Sequence, residues 1–191
     1  MNLYLAERRA FLRSGERGFT LIELLVAMSI MSVLFTLGAL AIRQFWFVRA
    51  LSGSQDQIAT QLRQIQQRVV AETHPLVYGA RFHVGDKTMS LVRFDPETNT
   101  CRQYQTVELG TGVEIAVGTD VTSDSTEPHI FCSANLTLPG GGAVSNRSTS
   151  EYVFFFARGN GTPGTITIRS TPLDRTESVQ IAGITGRVIE G

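Results

Sequence analysis

The strongest constraint in this 191-residue sequence is a run of 24 residues, 19–42, reading FTLIELLVAMSIMSVLFTLGALAI, which holds a single charge, Glu23. At about 1.5 Å per residue a helix of that length extends roughly 36 Å, more than a hydrocarbon layer of ~30 Å. Core helices of soluble proteins seldom carry so long an apolar stretch, so the run predicts a transmembrane helix. A secretory signal differs in two ways: its apolar region covers about 7–15 residues, and a small-residue cleavage site follows it. Here the small, polar junction Ser14-Gly15-Glu16-Arg17-Gly18 comes before the run. A cut there leaves the helix on the mature chain. Arg8, Arg9, Arg13 and Arg17 precede the span, against Glu7 and Glu16. This excess of arginine predicts a cytoplasmic N-terminus and an exported remainder.

Glu23 needs an explanation. A carboxylate at the centre of a membrane helix costs about 2.5–3.5 kcal/mol on insertion scales, and less toward an end. Cleavage after Gly18 frees the α-amino group of Phe19, four residues from Glu23, or about one helical turn. That amine can pair with Glu23 of its own chain or of a neighbour. The plainer alternative is a solvated Glu23 at the membrane interface.

Gly18-Phe19-Thr20-Leu21-Ile22-Glu23-Leu24-Leu25-Val26 resembles the processing and assembly motif of type IV pilins and type II secretion pseudopilins. The resemblance covers about 30 residues. It implies that a prepilin peptidase cuts after Gly18 and methylates Phe19, and that Glu23 docks the subunit into a helical filament. Many major pilins kink this helix with proline. Residues 19–74 contain none, which leaves Gly38 as the softest point.

Beyond the span, Arg43, Arg49, Gln55 and Asp56 mark the passage to water. Ile58, Leu62, Ile65 and Val69 then recur at helical spacing, with glutamines and arginines between them. The helix is therefore expected to continue over 43–74, with a bend or frayed turn at Ser52-Gly53-Ser54. His74-Pro75 should stop it, and its apolar stripe should pack on a sheet of its own domain. After Pro75 the period changes. Strands are expected at Leu76–Val84, Thr88–Phe94, Cys101–Leu109, Val113–Val117, Ile130–Leu138, Glu151–Ala157 and Thr165–Arg169, with one or two more in Ser178–Ile189. Tyr152-Val153-Phe154-Phe155-Phe156 is apolar on both faces and reads as a central, covered strand. Residues 118–128 and 139–150 read as surface loops. The expected fold class is α+β: a long N-terminal helix on an antiparallel β-rich, pilin-like domain. The segments are a leader (1–18), an assembly helix (19–42), its amphipathic continuation (43–74) and an extracytoplasmic globular domain (75–191).

Cys101 and Cys132 both fall on expected strands of an exported domain, where a disulfide is the favoured state and two buried thiols the other. Phe155-Phe156-Ala157-Arg158-Gly159, Gly164-Thr165-Ile166-Thr167-Ile168 and Gly186-Arg187-Val188 resemble the end of the GspH/FimT-type minor pilin family. Some of its members bind DNA through a Gly-Arg followed two residues later by arginine. Gly186 and Arg187 match, but Ile189 and Glu190 occupy the positions where charge matters. Arg187, with Arg169 and Arg175, is the candidate DNA contact.

The whole chain balances 17 Lys+Arg against 17 Asp+Glu. Residues 1–18 take four of those cations and two of the acids, which leaves 13 and 15 over 19–191. Such a balance argues against a nucleic-acid coat, whose affinity rests on clustered cations. Catalytic patterns are also missing. Gly159-Asn160-Gly161-Thr162-Pro163-Gly164 fits the dinucleotide spacing, but it precedes a strand rather than a helix and reads as a hairpin loop. His74, His83 and His129 lack a metal-ligand pattern, and Asp95-Pro96-Glu97-Thr98-Asn99 reads as a turn. No cofactor and no enzymatic activity are expected. The expected role is a structural subunit of a type IV pilus or a secretion pseudopilus, supporting filament initiation or protein secretion. Its expected partners are prepilin peptidase, other pilins and an inner-membrane assembly platform. The alternative is a DNA-binding minor pilin acting in DNA uptake.

Overall fold

The computed structural model describes residues 19–72, 76–116, 120–121, 128, 132, 136–139, 143–144 and 150–191. The expectations for Gly18, His74, Pro75 and His129, and for most of the two Ser/Thr/Gly-rich loops, lie outside the described residues. The chain divides into two compact units, Met1–Ile42 and Arg43–Gly191. One helix, α1 (Leu21–Ala71), runs through both, and eleven strands follow it.

In the first unit α1 is predominantly apolar and its described side chains are exposed, from Leu21 (81%) to Ile42 (59%). It is long and apolar enough to cross a membrane. Its polar side chains bond to the helix itself: Ser29 Oγ donates to Val26 O at 2.8 Å and Thr36 Oγ1 to Ser32 O at 2.8 Å. Such local bonds satisfy hydroxyls where water is absent.

In the second unit α1 has a buried stripe. Leu51, Ile58, Ala59, Leu62, Ile65 and Val69 are all 3% exposed or less. The expected bend at Ser52–Ser54 is not there; α1 is continuous. Packing and side-chain bonds hold these poor helix formers in place. Ser54 Oγ donates to Ala50 O at 2.7 Å and accepts the Gly110 N–H at 2.8 Å. Ser52 Oγ donates to Glu177 Oε1 at 3.1 Å.

The strands form two sheets. The first has the order β7-β6-β3-β2-β1-β8, with β1 Val77–His83, β2 Thr88–Asp95, β3 Thr100–Glu108, β6 Leu136–Thr137, β7 Ala143–Val144 and β8 Ser150–Phe155. The second has the order β11-β10-β9-β4, with β4 Val113–Ile115, β9 Gly164–Ser170, β10 Arg175–Ala182 and β11 Arg187–Glu190; β5 (Asp120–Val121) also pairs with β9. Pairing is antiparallel apart from β3 with β6, which is parallel. The expected α+β architecture is thus observed, with more strands than expected. Short β5 and β7 fall inside segments that read as loops.

One core joins the α1 stripe to both sheets: Ala80, Phe82, Met89, Leu91, Val153 and Phe155 from the first, and Val113, Ile115, Ile166, Ile168, Val179, Ile181 and Val188 from the second. A smaller cluster of Val92, Phe94, Cys101, Cys132, Leu136, Tyr152 and Phe154 covers the other face of the first sheet. Alternation along β8 therefore serves two cores, which is why it reads as apolar on both faces. In hydrogen bonding, however, β8 is not central but last in its sheet. The chain that follows covers the C-terminal end of its free edge: Thr162 N–H donates to Phe154 O at 2.8 Å, and Phe156 N–H to Asn160 O at 2.9 Å. The expected hairpin-like loop is present in short form, a turn closed by the antiparallel Phe155–Gly161 bridge, and the chain beyond it crosses from the first sheet to the second rather than pairing β9 with β8. Gly79 is required by close approach, because a Cβ there would meet the Phe154 ring at 2.5 Å. Gly85, with φ of 86°, makes the tight turn between β1 and β2.

Candidate functional site

The site begins where α1 begins. Phe19 and Thr20 precede the first helical residue, Leu21, and Phe19 is 83% exposed. A helix start leaves its first N–H groups without internal acceptors, a heavy cost in an apolar medium. Here Thr20 and Glu23 satisfy two of them reciprocally. Thr20 Oγ1 accepts the Glu23 N–H at 3.3 Å, and Glu23 Oε2 accepts the Thr20 N–H at 3.4 Å. The Thr20 hydroxyl also reaches Glu23 Oε2 at 3.4 Å. This is a capping box, in which a hydroxyl residue and a carboxylate three positions later close on each other. The Thr-x-x-Glu spacing before an apolar run is a sequence signal for it, and the functional reading of Glu23 passed over Thr20. The contacts are at the long end of the hydrogen-bond range. The acid also stands in the first turn, where the helix dipole favours negative charge.

The expected disulfide is present. Cys101 and Cys132 are bonded at 2.08 Å, with Cα atoms 5.2 Å apart and a sequence separation of 31. Both sulfurs lie in the smaller cluster, and both residues are buried. Cys101 is on β3 as expected, but Cys132 has helical backbone, not strand. The Tyr152 hydroxyl donates to Cys132 O at 3.1 Å, so β8 holds the same point that the bridge holds. Burial pushes the Tyr152 phenol up from its ordinary pKa.

The cations do not converge. Arg169 on β9 pairs in register with Thr176, near the start of β10, and Arg175 is that strand's first residue. Arg187 pairs with Ala182 at the opposite end of β10. At about 3.4 Å per residue, six positions put these ends roughly 20 Å apart. Arg169 is further engaged by Asp174 through both Nε and Nη2. The expected grouping of Arg169, Arg175 and Arg187 in one patch is therefore not observed; Arg187 is exposed on β11 at a distance from the other two.

Near the end of α1, Tyr78 donates to Glu72 Oε1 at 2.9 Å, and the Arg68 guanidinium lies 5.9 Å from both the Tyr78 and Tyr104 ring centres. Burial raises both phenols above their usual range, and the Glu72 carboxylate raises Tyr78 further. This cluster pins the helix end to β1 and β3. The Asp95–Asn99 turn joins β2 to β3 as expected, with the Asp95 carboxyl held below its ordinary pKa chiefly by a hydrogen bond from Thr98. Among the described residues no three His, Cys, Asp or Glu side chains are placed to hold a metal ion.

Residues 13–39 match the family model of the prokaryotic N-terminal methylation motif. The match covers Ser14–Gly18, Phe19 and most of the apolar run, and bears out the type IV pilin and pseudopilin resemblance carried by Gly18–Val26. No curated protein matches the sequence of the chain. Among solved structures, the chain is similar to the minor pseudopilin EpsH from the type 2 secretion system of Vibrio cholerae. Identity is 13%, coverage is 74% of this chain and 95% of that one, and the TM-score is 0.48.

Proposed function

We propose that this chain is a non-enzymatic pilin-type subunit, cut after Gly18, methylated on Phe19 and assembled through its N-terminal helix into a pilus or pseudopilus. The observation that carries the reading is Glu23, the one charge in 19–42, inside a methylation motif at the head of an exposed apolar helix. While the chain is whole, Glu23 closes on Thr20. After cleavage the Phe19 amine becomes available, and a cation one turn away is a stronger partner than a hydroxyl at 3.4 Å. The amine of a neighbouring subunit can then neutralise Glu23 and set the register between packed helices. Prepilin peptidase, other pilins and a membrane assembly platform are the partners this role requires.

The test has two parts. Intact mass of protein from its native host should show loss of residues 1–18 and one added methyl group. Glu23→Val should still insert into the membrane yet fail to enter filaments. Retention of the leader on filament-borne protein, or normal incorporation of Glu23→Val, would overturn the reading. DNA capture through Arg187 is the weaker reading, since its cation neighbours are remote and Glu190 follows. A gel shift of the full chain that Arg187→Ala abolishes would restore it.

A further inference from the structure

We propose that residues 43–49 form an interfacial anchor that sits in the phospholipid headgroup layer on the side of the β-rich domain. The proposal rests on the reading of 19–42 as a membrane span. These seven residues, Arg-Gln-Phe-Trp-Phe-Val-Arg, follow Ile42 directly. They form the start of the second unit, and much of their apolar surface faces no protein: Trp46 is 66% exposed, Phe45 58% and Val48 39%. Large aromatic rings left bare on an otherwise well-buried domain call for a medium that accepts them.

The chemistry favours lipid headgroups as that medium. Aromatic residues, tryptophan above all, concentrate at the depth where acyl chains meet headgroups. Arginine at the same depth turns its guanidinium to phosphate while its stem stays among apolar groups. Both features occur together here. Arg43 lies 5.8 Å from the Phe47 ring centre and Arg49 5.6 Å from that of Phe45, so cation and ring stand side by side at both ends of the segment. Neither arginine belongs to the Arg63–Glu190 or the Arg169–Asp174 ion pair. No acidic residue occurs between Glu23 and Asp56, so this stretch of helix is purely cationic. An anionic headgroup layer complements it in charge, and continuity with the span brings it to that layer. A second copy of the chain would bring the same arginines against each other.

Trp46 is the only tryptophan, which makes it a depth probe. The full chain would be reconstituted into phosphatidylcholine–phosphatidylglycerol vesicles whose acyl chains carry bromine either near the carbonyl or near the methyl end. Trp46 emission should be quenched several-fold more strongly by the shallow bromine than by the deep one, and only weakly by aqueous iodide. A reference chain with Trp46→Phe and Val33→Trp, reporting from within the span, should show the opposite depth preference. If the reference answers to deep bromine while Trp46 answers only to iodide, the span stands and the anchor is overturned. A Trp46 shielded from both bromine and iodide is covered by protein, which also overturns it. If neither tryptophan responds to bromine, the membrane reading itself fails and takes the anchor with it.

Discussion

The two halves of α1 are one continuous helix held by different forces. Leu21–Ile42 satisfies its polar groups locally, through the Thr20–Glu23 cap, Ser29 and Thr36, and leaves its apolar side chains bare. Leu51–Val69 buries its apolar stripe and sends polar side chains across to the sheets. Gln55 Nε2 donates to Ser178 O at 2.8 Å and to Gly191 O at 3.0 Å, and Gln66 Nε2 to Gly159 O at 2.8 Å and Thr185 O at 3.0 Å. The first half is therefore written for surroundings outside its own fold, the second for its own domain. Substitutions should separate them.

The largest contrast is expected between equivalent truncations. Leu62→Ala removes a fully buried side chain and should destabilise the second unit by about 3–5 kcal/mol in denaturant titration. Leu34→Ala, at 62% exposure, should leave that transition within about 0.5 kcal/mol of wild type. A comparable loss for both would erase the distinction. Next comes the bridge. Cys101→Ser with Cys132→Ser should lower stability by about 2–4 kcal/mol. Adding reductant should then change the melting temperature of wild type but not of the variant. Gln55→Ala removes the amide donor to Gly191 O and one of the two donors to Ser178 O, which still accepts the Gly191 N–H, and should cost about 1–2 kcal/mol, again only in the second unit. Smallest and most local, Thr20→Val should weaken the first turn of α1 by about 1 kcal/mol. Faster hydrogen exchange at residues 21–24 would register it, with no change in the domain's unfolding.

Stability should also depend on alkaline pH in the second unit. Tyr78, Tyr104 and Tyr152 have raised pKa values when folded, chiefly from burial, so folding favours the neutral phenol. That contribution is complete below the unfolded phenol pKa of about 10 and is lost as pH rises from there through the folded values. Tyr152→Phe, which keeps the ring, should shrink the alkaline loss; an unchanged loss would remove Tyr152 from it.

Where one force acts alone, the sequence shows it. The apolar run of 19–42 is legible because only one charge interrupts it, and the stripe Ile58–Val69 because a helix face repeats every three to four residues. Glu23 stands out by its cost, yet its bond to Thr20 was hidden behind the search for a cation. The Ser52–Ser54 segment misled because propensity favours a break there, whereas the contacts that override it come from Gly110 and Glu177, far away in sequence. Position within a sheet was likewise unreadable for β8, since burial on both faces says nothing about what lies along the edge. The scatter of Arg169, Arg175 and Arg187 follows from strand register, which no local pattern encodes.

The partly covered edge of β8 has a consequence for how copies of this chain can join. An apolar strand with free backbone groups invites strand exchange, and chains that polymerise that way form aggregates of open length. By folding residues 160–162 back along Phe154 and Phe155, the molecule narrows that route at the most apolar end of β8. In the proposed filament, growth would be left to the helices, whose contacts can be made and unmade without opening a sheet.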